Sequence, residues 1–191
     1  GSRIRRTLMK IYYSLMDYII VPSPYTKVIA EKTFPRKNIV YVPLPFEKKF
    51  EPSDNFEVGN LLFVGTIEPR KGLKYLLEAM TIFERHSKLN LKLNVVGKVV
   101  DLKYKDLLDE YIENNNLNVR FLGRVSNEDL DECYRKAEIF AFPSLLEGYG
   151  IVLVEAMQRG LPIVCFNNSA MPYSVFDGVN GFLVNDKDPA D

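Results

Sequence analysis

From residue 61 onward, short apolar runs alternate with longer stretches whose apolar positions recur every three or four residues. The runs 61–64, 91–96, 119–122, 139–142 and 163–166, with a shorter one at 182–184, predict strands. Between them, residues 73–86 place Leu73, Leu76, Leu77, Met80 and Phe83 on one face, which predicts an amphipathic helix. Three more helices are predicted: 102–115, a stretch that starts after Ser126 and ends near Lys136, and 151–159. Ser126 is a capping residue, with Asp129 three positions on as the acidic half of a capping box. Gly160, followed by Pro162, closes the last helix. Strands alternating with helices imply right-handed crossovers and an α/β fold: a Rossmann-like parallel sheet with helices on both faces. Ligands of such sheets bind beyond the carboxyl ends of the strands. The loops that leave those ends contain Gly65-Thr66, Gly97-Lys98, Gly123-Arg124, Pro143-Ser144 and Asn167-Asn168.

The first fifty residues follow another pattern. Ile4, Leu8, Ile11, Tyr12 and Leu15 form an amphipathic stripe. Residues 18–21 and 39–42 predict strands around a short helix at 25–33, and 43–52, with three prolines, reads as a linker. The expected division is 1–45 as the remnant of a preceding domain, 46–58 as linker, and 59–191 as the main domain. The exposed apolar stripe is expected to be covered by a domain or by a second copy of the chain.

Charge changes this picture in one place. The chain is neutral, with 25 Lys and Arg against 25 Asp and Glu, but residues 1–50 hold ten cations and three anions. The main domain is therefore acidic, which argues against a nucleic-acid partner. The basic start is a candidate contact for an acidic surface, either a membrane or another domain. The two cysteines, Cys133 and Cys165, form no CxxC pair, and Cys165 lies in an apolar run, so a buried free thiol in a reducing, cytoplasmic setting is expected.

Two segments carry candidate chemistry. In Gly65-Thr66-Ile67-Glu68-Pro69-Arg70-Lys71-Gly72, two adjacent cations stand where a helix begins. A diphosphate there would gain from both side chains and from the free amides of the first turn. A solvated basic turn is an equal alternative from this segment alone. In Glu147-Gly148-Tyr149-Gly150, two glycines precede the helix that carries Glu155. Its positive end can hold a phosphate without a metal, Glu147 can accept sugar hydroxyls, and Glu155 can accept the two hydroxyls of a ribose. Ile151, Val152, Leu153, Val154, Ala156 and Met157 surround Glu155, so it is expected to be buried and in need of partners. Arg124, with Val125, is a candidate neighbour of a base and equally a surface charge. His86, the one histidine, is expected to be exposed, so no histidine-based metal site or Ser–His–Asp arrangement is predicted. Glu128, Asp129, Asp131 and Glu132 read as an acidic first helical turn.

In order and spacing, the segments LLFVGTIEPRKGLKYLLEAM, LNVVG, VRFLGRVSNEDLDECYRKAEIFAFPSLLEGYGIVLVEAMQRGLPIVCF and DGVNGFLV resemble retaining glycosyltransferase family 4, of the two-domain GT-B fold. Glu147 and Glu155 match that family's E-x7-E signature. The resemblance implies the C-terminal, nucleotide-sugar-binding domain. Arg70 and Lys71 would neutralise the donor's diphosphate, with Gly65 and Thr66 beside it. Glu147 and the amides of Gly148, Tyr149 and Gly150 would hold the sugar and phosphates. Glu155 would take the ribose, and Arg124 and Val125 would border the base. Glu147, Arg70 and Lys71 are the catalytic candidates, acting without an obligatory cofactor or metal. The donor would be a sugar linked to UDP, GDP or ADP, with a hexose transferred to a glycan or lipid-linked acceptor. Mannose is the candidate hexose.

Two positions depart from the family: Thr66 stands where many members have Arg, and Pro172-Tyr173 where members often have Pro-Glu. The family's acceptor site lies in a domain of which only the last stretch is expected here. The fragment by itself is therefore expected to bind the donor and not to turn it over. Two further readings stay open: a non-catalytic nucleotide-diphosphate-binding or scaffolding module, and another enzyme on the same fold.

Overall fold

The computed structural model describes residues 2–45 and 55–190, which fall into two compact units divided between Glu47 and Lys48. Residues 46–54, most of the predicted linker, lie outside the described residues.

The first unit runs α1 (Ser2–Ser14), β1 (Tyr18–Val21), α2 (Pro24–Thr33) and β2 (Asn38–Tyr41), with β1 and β2 parallel. Its α2 begins on a full capping box. The Ser23 hydroxyl accepts from the Thr26 amide at 3.0 Å, and the Thr26 hydroxyl accepts from the Ser23 amide at 3.1 Å. Pro24 follows with its φ already helical. The core of this unit is small: Ile19, Val21 and Ala30 are its buried residues. The stripe of Ile4, Leu8, Ile11, Tyr12 and Leu15 is between 55% and 78% exposed.

The second unit is a six-stranded parallel sheet in the order β5-β4-β3-β6-β7-β8. Its elements are β3 (Asn60–Val64), α3 (Leu73–His86), β4 (Lys92–Val96), α4 (Leu102–Asn115), β5 (Asn118–Gly123), α5 (Asn127–Lys136), β6 (Ile139–Phe142), α6 (Ile151–Gln158), β7 (Ile163–Phe166) and β8 (Gly181–Val184). The central strands β3 and β6 are apolar throughout apart from Asn60, and β3 is buried at every position, as a strand covered on both faces must be. The amide nitrogen of Asn60's own side chain donates to the Lys136 carbonyl at 2.7 Å. Right-handed crossovers put α3 and α4 on one face and α5 and α6 on the other. From β3 the chain steps outward through β4 and β5, returns to add β6 beside β3, and then steps the other way. The β3–β6 ladder couples Leu61 with Ile139 and Leu62 with Phe140. The loops beyond those two strands diverge, which is the switch point where open sheets bind ligands.

Two glycines let the loops at this point touch. Gly72 has φ +71, and a Cβ there would stand 1.8 Å from the Pro143 carbonyl oxygen. Gly97 has φ +146, and a Cβ there would stand 1.9 Å from the Gly65 carbonyl oxygen. Backbone lies where any other residue would carry a side chain.

Three details differ from the pattern of the sequence. The Ser126 hydroxyl caps α5 by accepting from the Asp129 amide, but the Asp129 carboxylate turns to that same hydroxyl (2.9 Å) rather than to the Ser126 amide. Asp131 does not serve the helix dipole: it pairs with Arg159. Phe83, at the end of the α3 stripe, is exposed and lines an apolar cleft with Tyr75, Leu76 and Val184. Cys165 is buried, and desolvation pushes its thiol up to about 12. His86 is exposed. No helix of the described residues is long and apolar enough to cross a membrane.

Candidate functional site

The β3 strand delivers Gly65, and the chain then runs through Thr66 and Glu68 into a single 3-10 turn, Pro69–Lys71, before α3 starts. Across the switch point, β6 delivers Pro143 and the buried Ser144, and the chain continues to Glu147 and on to α6. The two loops are bonded to each other. The Leu145 amide donates to the Arg70 carbonyl at 2.9 Å, and the Arg70 guanidinium donates to the Leu146 carbonyl at 2.8 Å.

Glu147 is the meeting point. Its Oε1 receives the Lys71 ammonium at 2.5 Å and the Ser144 hydroxyl at 2.7 Å, with the Arg70 guanidinium 3.7 Å away. The Lys71 and Glu147 side chains are 13% and 12% exposed, so solvent screens this pair weakly. Lys71 also lies over the Phe142 ring, 5.2 Å from its centre. Arg70 donates in addition to Glu68 at 2.8 Å, and Thr66 donates to the same Glu68 oxygen at 2.8 Å. The Thr66 hydroxyl, with the nearby Arg70 charge, holds the Glu68 carboxyl below its ordinary range. The basic turn is therefore not a pair of free cations. Two cations face two carboxylates, and an incoming anion would share them with Glu147.

The loop behind Glu147 is fixed from the β7 side. The Glu147 amide donates to the Ser169 hydroxyl at 2.9 Å, and the Ser169 hydroxyl donates to Asn168 at 2.7 Å. Ser169 holds a φ of 47, unusual for a residue with a side chain. Gly150 caps α6 without a side chain, so the positive end of that helix opens into the loop.

Glu155, one turn into α6, lies in different surroundings. It is half-buried, not buried as the apolar neighbours predict, because α6 exposes one side, beginning with Ile151. Its need for a partner is met partly from within: the Tyr134 hydroxyl donates to its Oε2 at 2.9 Å. Arg159 follows α6, 6% exposed, and its Nε donates to Asp131 at 2.7 Å. Arg124 is exposed just beyond β5, with Val125 half-buried against the core. Tyr173, at the end of a second 3-10 turn, is exposed. Among the described residues, no group of three or more His, Cys, Asp or Glu side chains is placed to hold a metal ion.

The structure thus brings Thr66, Arg70, Lys71 and Glu147 together through one network of bonds. It places Glu155 in a second network built on α5 and α6. Ser144, Ser169, Tyr134 and Arg159 complete these networks. Ser144 was legible as a loop position, while Ser169, Tyr134 and Arg159 give no signal in the sequence that sets them apart from their polar neighbours.

The parallel sheet with a polar crevice at its switch point matches about half of the length of GT-B-type glycosyltransferase structures. Solved structures agree. Sucrose-phosphate synthase from Thermosynechococcus elongatus superposes with a TM-score of 0.84 at 23% identity, covering 98% of this chain and 50% of that one. Anabaena HepE, solved in complex with UDP and glucose, superposes with a TM-score of 0.85 at 20% identity, covering 97% and 55%. Residues 46–191 match the family model of glycosyl transferases group 1, and the chain belongs to that family. Among characterised relatives, it is 34% identical over 125 residues to O-antigen chain mannosyltransferase B of Escherichia coli, covering 62% of this chain and 31% of that protein. It is 31% identical over 176 residues to an uncharacterised glycosyltransferase of Methanocaldococcus jannaschii, covering 92% and 47%. The chain therefore spans about a third to a half of the length of these relatives.

Proposed function

We propose that residues 59–191 are the C-terminal, donor-binding domain of a retaining family 4 glycosyltransferase, and that 1–45 are the end of its acceptor-binding domain. The observation that carries this reading is the bond network at the switch point, where Lys71, Arg70 and Ser144 converge on Glu147. A donor diphosphate would enter beside Gly65 and Thr66, take up Arg70 and Lys71, and meet the open end of α6 behind Gly148, Tyr149 and Gly150. Glu147, already held by a cation, would accept hydroxyls of the sugar. Glu155 would accept the ribose hydroxyls, and Arg124 and Val125 would border the base.

Transfer needs no redox or covalent step from these residues. The leaving diphosphate gains negative charge as the glycosidic bond breaks, and Arg70, Lys71 and the α6 amides would stabilise that charge. In this reading the remainder of the acceptor domain covers the apolar stripe of α1, and transfer takes place in the complete cytoplasmic enzyme, with the isolated chain binding donor only. A hexose is the sugar class of the reading. Mannose is favoured by the similarity to a mannosyltransferase, and UDP by the structural neighbours solved with it.

The test is a thermal-shift panel of UDP, GDP and ADP at millimolar concentration. One of the three is expected to stabilise the protein, and Glu155→Ala is expected to abolish that shift. The absence of any shift would overturn the reading.

A further inference from the structure

Tyr134 is the largest of the fully buried side chains among the described residues, and it lies on α5, outside the crevice loops. Its ring packs on Phe140, with centres 5.7 Å apart. The Arg159 guanidinium lies over the Tyr134 ring at 4.4 Å. Arg159 is itself immobilised, by Asp131 at 2.7 Å and by the backbone carbonyl of Glu155 at 2.9 Å. The phenol thus cannot move away from its hydrogen-bond partner, which is the carboxylate of Glu155. Burial and the neighbouring Glu155 charge push Tyr134 above the ordinary phenol range, which keeps the hydroxyl in the role of donor to Glu155.

The chemistry of the two ends of this bond is unequal. The guanidinium of Arg159 donates to the backbone carbonyl of Glu155, and the carboxylate receives the neutral Tyr134 hydroxyl on Oε2. A neutral donor fixes the plane of the carboxylate without cancelling its charge. A glutamate on a helix otherwise loses side-chain freedom when it binds a ligand. A glutamate already held through one oxygen has lost that freedom before the ligand arrives.

We infer that Tyr134 is a positioning residue: it orients the Glu155 carboxylate, through Oε2, to receive the vicinal hydroxyls of the ribose of a nucleoside diphosphate. The inference rests on the reading that Glu155 takes the ribose.

The test compares wild type and Tyr134→Phe by calorimetric titration with the nucleoside diphosphate that stabilises the protein and with its 2′,3′-dideoxy counterpart. Wild type prefers the ribose form. Tyr134→Phe keeps the ring and its packing, and is expected to bind the ribose form about tenfold more weakly while binding the dideoxy form as wild type does. A merely structural role for the tyrosine would weaken both ligands alike.

Should phenylalanine not be tolerated, Tyr134→Met fills the space without a hydroxyl and carries the same comparison. If wild type shows no preference for ribose, the assignment of Glu155 falls, and this inference with it. If wild type prefers ribose and Tyr134→Phe keeps the full preference, the inference falls and the assignment of Glu155 stands. Failure of both variants to fold would make Tyr134 a structural residue and overturn its positioning role.

Discussion

Glu147 and Glu155 belong to one sequence signature, eight positions apart, yet the protein treats them in opposite ways. Glu147 is held by cations: Lys71 at 2.5 Å and Arg70 at 3.7 Å, with Ser144 as a neutral third. Glu155 is held by a phenol, and the nearby guanidinium turns to its backbone. The first carboxylate is balanced where a diphosphate is proposed to arrive, which lowers the repulsion between two anions. The second receives a neutral hydroxyl on Oε2, and a carboxylate makes strong bonds to hydroxyl groups. Two equal residues acquire two sets of partners because different elements surround them. One corner is built from loops that touch backbone to backbone, the other from side chains of two helices.

That contrast can be broken most forcefully at Gly72. A Cβ there would lie 1.8 Å from the Pro143 carbonyl, and the two loops would have to part. Gly72→Ala is expected to destabilise the protein by about 3 kcal/mol or more, combining a clash with a left-handed backbone. Urea unfolding measures it, and a loss below about 1 kcal/mol would mean that the loops do not depend on each other's backbone.

The helical corner is sharpened by Asp131→Ala. It leaves the nearly buried Arg159 without its carboxylate, at an expected cost of about 2–3 kcal/mol, softened by the partial exposure of Asp131. The same unfolding measurement should show the deficit shrinking when Arg159 is also replaced by Met, which removes the nearly buried cation. No recovery in the double variant would show that the loss has another source.

The smallest effect concerns Glu68, at the exposed rim of the loop corner. Its carboxyl is held below its ordinary value of 4.5, chiefly by the Thr66 hydroxyl and then by Arg70. A lowered value in the folded state means stability that is present above the ordinary value and lost as the pH falls below it. Glu68→Gln should therefore cost under about 1 kcal/mol at pH 7, and the difference from wild type should vanish in acid. A difference that grows on acidification would have the wrong sign.

The fold was readable from periodicity because each strand is a short apolar run and each helix a long amphipathic one. The bounds of α3, α4 and β6 coincide with the apolar pattern, since Gly72, Asp101 and Pro143 stop or start the chain sharply. The candidate loops were readable for the same reason, as they leave the ends of parallel strands. Their wiring was not. Nothing in the order of residues says that Ser169 supports the Glu147 amide, or that Arg159 lies over Tyr134. These contacts join elements that are adjacent only once the sheet has formed. The apolar composition of α6 overstates the burial of Glu155, because a helix can be apolar in composition and still expose Ile151. Asp131 looks like a helix-dipole residue in the sequence because its partner, Arg159, lies 28 positions away.

The strand order has a further consequence, for how the protein comes into being. Lys71 and Glu147 are 76 positions apart, because β6 is inserted next to β3 only after the chain has built β4 and β5. A growing chain can complete the β3-β4-β5 edge with both cations in place, Arg70 already paired with Glu68 and Lys71 still without the Glu147 carboxylate. The polar centre then closes at the moment β6 docks, so its formation reports on a late and long-range step of folding.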